Sequence, residues 1–451
     1  MTDDYNNFSF TPSAAAPQAT ETTAKTTKEK APGRQDKYLW GFYITLLIIS
    51  VIELYSASSR EISAGHIYHP LIRHVFLLGV GTLIMLAMSR IHYRRFYDFI
   101  PWFVLGSIAM MIYVLCFGEV VNGARRSLTI FGFSLYPSEF LKLSAVLIIA
   151  LVMSRTHQKR NANPNAGVVT TAFVVLLMGG LLFTQGLTNT ILLMGISMFM
   201  MIVGGIKWTK FCAVIIVYIF IAGGFFAVKM FNEDRREKET AAMTAADTPK
   251  EETGEDVAVR LGTWVARFRS YFDSTPKYEQ KITGKNQQEM YSYMAQANGG
   301  LFGQMPGNSR EASRLPLAFS DYIFAIVIED LGFLGALFII GIYLSLIARA
   351  GSIAARCSSA LPAMLVMGCA VMIIMQALFH MAIVTGVFPV SGQPLPLISK
   401  GGTSIIITSL AFGIMLSISR FAVQSGKRAE AKEETNSLPE EYRAANPTQL
   451  T

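Results

Sequence analysis

The apolar residues of this chain are gathered into long blocks, and this feature limits its fold more than any other. Hydrophobic residues make up 52% of the 451 residues and charged residues only 16%, whereas about a quarter of the residues in soluble domains are charged. Each block is about 17 to 25 residues long, the length at which a helix crosses the hydrocarbon core of a bilayer. A membrane β-barrel would show short alternating segments instead. The sequence therefore predicts an all-α polytopic membrane protein.

Ten apolar blocks predict ten transmembrane helices, with a large extracytoplasmic loop between spans seven and eight. The polar residues before the first span and the charged start of the large loop, 232–256, are predicted to be disordered. The predicted organisation is a tail at 1–36, spans one to seven at 37–231, the large loop at 232–319, spans eight to ten at 320–424 and a second tail at 425–451. The blocks themselves lie at 37–57, 70–89, 97–117, 137–154, 168–184, 188–204, 209–231, 320–348, 361–388 and 403–424.

Lys and Arg residues between the blocks predict the orientation of the chain. They recur in alternate connections, including one at 349–360 with Arg349 and Arg356, and in the tail after span ten. Short basic loops stay on the cytoplasmic side, so both termini are predicted to be cytoplasmic. These loops explain much of the net charge of +8, which therefore does not indicate nucleic-acid binding. The four cysteines show no metal-ligand spacing, so neither a disulfide framework nor a zinc site is predicted.

Asp321 stands where the large loop ends and the eighth apolar block begins. In the first turn of a helix, a carboxylate can cap backbone N–H groups and meet the positive end of the helix dipole. The alternative is a carboxylate that faces a water-filled cavity at the membrane surface, with Glu329 about two helical turns deeper. Position alone leaves both interpretations open.

Three arginines are predicted on the same extracytoplasmic face as Asp321. Arg125 and Arg126 lie in the 118–136 loop, and Arg73 lies at the outer end of span two. Basic residues usually avoid this side of the membrane, and a cluster of them suits a phosphate-bearing ligand. Exposed surface arginines without a ligand are the plain alternative.

Span four opens with Pro137, a normal signal for the start of a helix, and carries Glu139 and Lys142 in its first turns. Residues three apart share a helix face, so this acid and this lysine can simply pair. Ionisable groups inside a span are costly, however, and usually face a bundle interior or a cavity. The pair is therefore a candidate part of a site.

The segment 389–402 is too rich in Pro and Gly for a continuous helix, yet it is apolar. Irregular backbone at membrane depth is tolerated where it is buried in protein or lines a polar cavity. We therefore predict a re-entrant loop beside a site, with Ser399 and Lys400 near its end. His380, within span nine, is predicted to be a hydrogen-bonded packing residue or a part of that site.

Taken together, these segments resemble the SEDS family, the FtsW, RodA and SpoVE proteins of bacterial cell-wall synthesis, and the extended tails resemble its FtsW branch. The resemblance covers most of residues 37–424. It departs from the family at Ser127, where Trp is usual, at Gln185-Gly-Leu-Thr-Asn-Thr, which lacks the usual acid, at His380, where Asn is common, and at Lys400, where Tyr is common. It is carried by Tyr55-Ser-Ala-Ser58, Asn122-Gly-Ala-Arg-Arg126, Pro137-Ser-Glu139 with Lys142, Gln288, Gly299-Gly-Leu-Phe-Gly303, Asp321-Tyr-Ile-Phe-Ala, Glu329-Asp-Leu-Gly and the stretch from Thr385 to Ser404.

The resemblance implies a peptidoglycan glycosyltransferase that polymerises lipid II into β-1,4 glycan outside the cytoplasmic membrane and releases undecaprenyl pyrophosphate. It maps the family's essential aspartate to Asp321, which we interpret as the general base on the acceptor hydroxyl. Glu329 and Arg125 are expected in secondary roles. The residues expected to bind the substrate or its pyrophosphate are Arg73, Arg126, Glu139, Lys142, Gln288, Ser399 and Lys400.

The resemblance also implies partners: a single-span class B penicillin-binding protein, other division proteins, lipid II and membrane lipid. The expected location is the division septum of the bacterial inner membrane. A divalent cation, Mg²⁺ or Mn²⁺, is left open as a cofactor, and no protein ligands for a metal are assigned. Two other functions are weighed: a lipid II flippase, which needs a cavity open to both faces, and a non-catalytic division scaffold. Polar groups clustered on one face argue against the first, and the intact Asp321 and Lys142 argue against the second.

Overall fold

The computed structural model describes residues 34–58, 69–121, 124–130, 133–156, 164–183, 185–219, 281–283, 286–315 and 318–421, and this part of the chain is predominantly helical. The predicted insert 232–256, the tail 425–451 and residues 1–33 of the first tail lie outside the described residues. The helices are α1 (Lys37–Ala57), α2 (His69–Arg90), α3 (Phe96–Phe117), α4 (Pro137–Thr156), α5 (Pro164–Phe183), α6 (Leu187–Val203), α7 (Trp208–Ile219), α8 (Gln287–Gly299), α9 (Ile323–Ala355), α10 (Ala360–Val384) and α11 (Gly402–Phe421).

Every predicted span contains an apolar helix in its described part. In that part, seven helices, α1 to α4 and α9 to α11, are long and apolar enough to cross a bilayer, whereas α5, α6 and α7 have shorter apolar lengths. The chain is therefore a multi-pass membrane protein. The count of ten spans stays a prediction.

The eighth span differs from its predicted limits at both ends. It is predicted at 320–348, but α9 begins at Ile323 and continues to Ala355, so the predicted loop at 349–360 shrinks to a short turn. Arg349 therefore lies inside a helix. A charge is tolerated there because Arg349 pairs with Asp36, just before α1, and because cations are favourable near a helix C-terminus.

A three-stranded antiparallel sheet follows α3, and the prediction of an all-α chain missed it. Two of its three strands have only three residues, so they give no readable alternation in the sequence. Successive residues of a strand point to opposite faces, and the sheet therefore separates the neighbouring side chains of Arg125 and Arg126. The strands, in the spatial order β1-β2-β3, are β1 (Glu119–Val121), β2 (Ala124–Ile130) and β3 (Phe133–Leu135).

Burial is distributed unevenly among the helices. α10 and α11 are buried along most of their length, whereas most residues of α2 and α3 are at least partly exposed. The exposed side chains include large apolar ones such as Phe76, Trp102 and Phe173, as expected where helices meet lipid. α10 is the central helix, and it packs against α4, α6, α9 and α11.

α9 is bent at Gly332, whose φ of 70° is left-handed, a conformation that glycine adopts without strain. The bend frees the carbonyl groups of Glu329 and Asp330 from the helix. They accept hydrogen bonds from the N–H groups of Gln304 and Met305 at 2.8 and 2.9 Å. The end of the large loop is thereby attached to α9.

The two ends of the helix bundle carry different contacts. Where α1 begins, Asp36 pairs with Arg349 of α9, and its N–H group donates to Ser419 of α11 at 3.2 Å. Where α1 ends, the Ser56 hydroxyl accepts the N–H of Gly307, in the large loop, at 3.1 Å. We call this second end, which also carries the start of α9, the site end.

Candidate active site

Asp321 lies in the turn that leads into α9. The helix begins at Ile323, and its N-cap residue is Tyr322, whose side chain makes no capping hydrogen bond. Asp321 therefore precedes the N-cap position instead of occupying the first turn of the helix. The residue as a whole is partly exposed.

The segment 385–401, between α10 and α11, supports the turn that carries Asp321, and we call it the buried loop. It contains neither helix nor strand, as its Pro and Gly content predicts. Residues 393–399 of this loop are mostly buried, so their backbone polar groups need internal partners, and side chains of α1, α9 and α10 provide several of them. Ser50 donates to the carbonyl of Ile398 at 3.0 Å, Tyr343 to that of Pro396 at 2.6 Å and Gln376 to that of Pro394 at 3.4 Å, and His380 Nδ1 lies 2.6 Å from the carbonyl oxygen of Gln393.

The end of the buried loop is hydrogen-bonded to the residues just before Asp321. The Ser399 hydroxyl donates to the carbonyl of Ser320 at 2.7 Å, and the N–H of Lys400 donates to the carbonyl of Phe319 at 2.9 Å. Ser399, predicted to contact substrate, is 1% exposed. In this structure it positions the Asp321 turn.

Gly392 of the buried loop faces the carboxylate of Asp321. A Cβ atom added at Gly392 would lie 2.8 Å from Asp321 Oδ2, which is closer than van der Waals contact allows. The absence of a side chain therefore lets the carboxylate approach the loop backbone. The sequence shows this glycine only as a helix breaker, and its contact with Asp321 arises from the tertiary fold.

Arg126 of β2 acts electrostatically on Asp321. Burial raises the pKa of the Asp321 carboxyl above its ordinary value, and a hydrogen bond with Ser320 and the charge of Arg126 offset only part of this effect. A carboxylate with a raised pKa accepts a proton more readily, which suits general-base chemistry near neutral pH. The structure thus brings together two residues that the sequence separates by almost two hundred positions.

Tyr136, directly before α4, belongs to the same group and was not identified from the sequence. Burial raises the pKa of its phenol, the charge of Asp321 raises it further, and the charge of Arg126 lowers it. The phenol therefore lies near both charges. Its side chain is 39% exposed. The sequence signal available for Tyr136 was an aromatic residue directly before a candidate span.

Arg125 is directed away from this group. Its guanidinium donates to the carbonyl of Cys116 at the end of α3, and its own carbonyl accepts a hydrogen bond from Gln185 at 2.8 Å. Neighbouring arginines on β2 thus have different roles: Arg126 acts on Asp321, whereas Arg125 attaches the sheet to α3.

Glu139 and Lys142 form the ion pair that their spacing allows. Lys142 Nζ lies 2.6 Å from Glu139 Oε1, and Lys142 is fully buried. Glu139 Oε2 accepts a hydrogen bond from Gln376 at 3.4 Å, and Gln376 also contacts Pro394. The pair therefore lies beneath the buried loop, and Lys142 would contact a ligand only if this packing opened.

The remaining predicted substrate contacts lie at separate places. The Lys400 ammonium lies 4.3 Å from the centre of the Phe319 ring, in cation–π geometry. Phe319 lies two positions before Asp321 in the sequence. Arg73 is half-buried near the start of α2, and Gln288 is half-buried at the start of α8. Their contacts with a substrate stay predictions.

Glu329 holds the large loop. It is fully buried, and its carboxylate accepts hydrogen bonds from the side chains of Asn298 and Ser309 and from the N–H groups of Arg310 and Glu311. The sequence left open whether this acid tunes Asp321 or packs in the bundle. Its contacts show a structural acid that orders the loop segment above it.

Two further acids of the site end were not identified from the sequence. Glu53 of α1 and Asp330 of α9 are fully buried, and the carboxyl oxygens of Glu53 have no hydrogen-bond partner among the described residues. An acid inside the first apolar block was a visible signal for Glu53, since such residues are rare in spans.

Within the described ranges, no group of three or more His, Cys, Asp or Glu side chains is arranged to hold a metal ion. The charged side chains that act on or lie close to the Asp321 turn, Arg126 and Lys400, are cations. This donor set does not fit a metal cage built by the protein.

These features define a polytopic membrane protein with a partly exposed acid, flanked by cations, at one end of its helix bundle. The FtsW/RodA/SpoVE family, described as "Cell cycle protein", matches residues 36–424. The chain belongs to this family, and the resemblance seen in its motifs is confirmed.

Curated relatives and solved structures agree with this membership. The chain is 28% identical over 398 residues to a probable peptidoglycan glycosyltransferase FtsW of Trichlorobacter lovleyi, covering 86% of this chain and 94% of the relative. It is 26% identical over 380 residues to peptidoglycan glycosyltransferase MrdB of Escherichia coli, covering 83% and 90%. The crystal structure of the rod shape determining protein RodA of Thermus thermophilus matches with a TM-score of 0.58 at 20% identity, covering 87% of this chain and 98% of that one. A structure from a peptidoglycan synthase complex that coordinates polymerization and crosslinking matches with a TM-score of 0.60 at 20% identity, covering 85% and 97%.

Proposed function

We propose that this protein is a peptidoglycan glycosyltransferase that polymerises lipid II on the outer face of the bacterial inner membrane. The curated relatives are named for this enzyme class. The observation that carries the proposal is the state of Asp321, a partly exposed carboxylate with a raised pKa that lies within the field of Arg126.

Asp321 acts as the general base in this proposal. The acceptor hydroxyl attacks the anomeric carbon of the donor sugar, and its proton passes to the Asp321 carboxylate. A new C–O bond forms as the bond between the anomeric carbon and the pyrophosphate oxygen breaks. Attack from the face opposite the leaving group inverts the anomeric centre, so an α-linked donor gives a β-1,4 glycan.

The cations stabilise the pyrophosphate as it leaves. Arg126 offers a forked donor for phosphate oxygens, and Lys400 offers a compact charge on the other chain segment that borders the Asp321 turn. Preorganised positive groups are effective where negative charge develops in the transition state. Lys142, buried with Glu139, supports the loop behind the site, and Arg73 is a further candidate for the pyrophosphate.

A membrane enzyme suits this substrate because its leaving group carries a long polyprenyl tail. The tail stays in the bilayer, while the sugars lie in the aqueous layer outside it. The site end, with Asp321 in a turn at the start of an apolar helix, presents acid and cations at that boundary. The same proposal places both termini in the cytoplasm.

The test compares wild type with Asp321→Asn in purified form, supplied with lipid II and the cognate transpeptidase. Wild type is expected to form glycan polymer, and Asp321→Asn to lose about 10²–10⁴-fold in rate, the usual range for a general base. Asp98→Asn is the matched control, because Asp98 is an exposed acid in the first turn of α3. Glycan chains are measured by gel after labelling.

Polymer formation by folded Asp321→Asn at the wild-type rate would overturn the assignment of the base. Polymer from neither protein would count against the enzyme, and lipid II translocation in liposomes would then test the flippase.

The rate is also expected to depend on pH in a defined direction. Asp321 works only when ionised, so the rate is low at acid pH and rises as the pH passes through its raised pKa. The acidic limb of the pH–rate profile, where the rate rises with pH, should therefore lie at a higher pH than the pKa of an ordinary aspartate. It is measured as initial rate against pH with saturating lipid II.

We further propose a class B penicillin-binding protein as partner and cell division as the setting. The likeness to the chain from a complex that coordinates polymerization and crosslinking supports such a partner, and the relatives named FtsW support the division role. Co-purification from bacterial membranes and septal localisation of a fluorescent fusion test these two points. A lateral-wall pattern would favour elongation instead.

A further inference from the structure

Tyr136 is an exposed aromatic residue next to the candidate site. Its side chain is 39% exposed, and the charges of Asp321 and Arg126 both act on its phenol. An exposed aromatic near a membrane surface is often an interfacial anchor that faces lipid headgroups. Tyr136 differs from such an anchor because its N–H group donates to Thr403. Thr403 lies three residues after Lys400, whose own N–H group donates to the carbonyl of Phe319 in the Asp321 turn.

The backbone at Tyr136 is fixed from two sides. Its N–H group donates to the Thr403 hydroxyl at 3.0 Å, and the same hydroxyl donates to the carbonyl of Ser134 at 3.3 Å. Its carbonyl accepts the N–H of Glu139 at 3.2 Å, in the first turn of α4. Thr403 is buried at the start of α11. The ring is therefore carried on a rigid junction between β3, α4 and α11.

We propose that the ring of Tyr136 is the binding platform for the acceptor sugar, beside the base that deprotonates its hydroxyl. This inference rests on the proposed glycosyltransferase function. A pyranose ring has an apolar face of C–H groups, and an aromatic ring presents an apolar surface of similar size with a polar tip. Sites for small polar ligands combine such surfaces with a few directed polar groups.

The placement follows from the reaction. The hydroxyl that Asp321 deprotonates belongs to the acceptor, so the acceptor ring must lie within about one sugar width of the carboxylate, at hydrogen-bond distance for the proton. Phe319 also lies in this region, but Lys400 occupies a position over its face. Of these two rings, Tyr136 is the one without a cation recorded over its face, and it is 39% exposed.

The test measures the KM for lipid II and kcat separately in wild type, Tyr136→Ala and Tyr136→Phe. Loss of the ring is expected to raise the KM about tenfold, the upper range of a single aromatic contact, with a smaller change in kcat. Tyr136→Phe should recover most of the wild-type KM, because it keeps the ring. Tyr113→Ala is the matched control, since Tyr113 is 50% exposed on α3.

Folding is checked by size-exclusion chromatography and thermal unfolding of each variant. An unchanged KM in Tyr136→Ala would overturn the proposal. An equal defect in Tyr136→Phe and Tyr136→Ala would also overturn it, because the hydroxyl would then be the acting group.

A binding measurement separates this inference from the proposed function. Lipid II binding is compared between Asp321→Asn and the double variant Asp321→Asn with Tyr136→Ala, where no turnover is needed. Weaker binding in the double variant supports the platform even if wild type makes no polymer. Equal binding in the two variants refutes the platform even if wild type polymerises lipid II.

Discussion

Asp321 and Glu329 lie eight positions apart, yet their surroundings are opposite. Glu329 is fully buried and accepts hydrogen bonds from two side chains and two backbone N–H groups of the large loop. Asp321 is partly exposed, has the Ser320 hydrogen bond, and lies against Gly392 and within the field of Arg126. A carboxylate saturated with internal donors is suited to holding structure, and one that is lightly held is suited to exchanging a proton.

This difference predicts which function each acid loses when it is changed. Glu329→Gln should destabilise the protein by about 3 kcal/mol, because an amide NH₂ group replaces one of the two acceptor oxygens and faces the donors that this oxygen served. The measurement is thermal or denaturant unfolding in detergent. Glu329→Gln should keep its catalytic rate per folded molecule, in contrast to Asp321→Asn.

Glu311→Gln is the matched control in the same loop. Glu311 is buried, and its ion pair with the exposed Arg314 is 3.4 Å long. Burial raises its pKa, so removing its charge should cost little stability, within about 1 kcal/mol. Equal losses in Glu329→Gln and Glu311→Gln would show that the saturated carboxylate has no special structural role.

The next effect separates the two arginines of β2. Arg126→Gln should lower the rate about 100-fold, the lower range for removing one transition-state donor. It should also move the acidic limb of the pH profile upward, because the Arg126 charge lowers the pKa of Asp321. Initial rates against pH provide both readouts.

Arg125→Gln supplies the comparison, since Arg125 binds the Cys116 carbonyl instead. It is expected to leave the position of the acidic limb unchanged. An upward shift of the same size in Arg125→Gln would mean that the site responds to net charge alone.

The smallest of these effects concerns the space around Asp321. Gly392→Ala places a methyl group 2.8 Å from Asp321 Oδ2, so the carboxylate must shift by a few tenths of an ångström or more. The rate should fall about tenfold, because catalytic groups tolerate little displacement. Gly401→Ala is the control, since its added Cβ would meet neighbours at 3.4 Å, an ordinary contact. Equal rates in the two alanine variants would show that close approach to Gly392 is unimportant.

Much of the architecture could be read from the sequence. The apolar blocks located the helices to within a few residues in most spans, and the Pro and Gly content of 389–402 predicted an irregular segment between α10 and α11. The small sheet could not be predicted, because two of its three strands have only three residues and are stabilised by pairing that no local pattern shows. The start of α9 lies three residues after its predicted position, because the turn before it also contains apolar residues such as Phe319 and Tyr322.

The candidate site could be read only in part. The sequence identified Asp321, Arg126 and the Glu139–Lys142 pair because charges near apolar blocks are conspicuous. It grouped Arg125 with Arg126, and the aromatic residue before span four, Tyr136, was not singled out. The alternation of side chains along β2 separates Arg125 from Arg126. The hydrogen bond with α11 places Tyr136.

The sequence by itself determined that this chain is a multi-pass helical membrane protein with its unusual charges beside the ends of spans. Hydrophobic length and charge position are local properties, and a bilayer acts on them directly. The tertiary structure alone decided which carboxylate is saturated and which is available. That distinction depends on donors from segments far apart in the chain, such as Ser309 for Glu329 and Arg126 for Asp321, and these meet only when the helices pack.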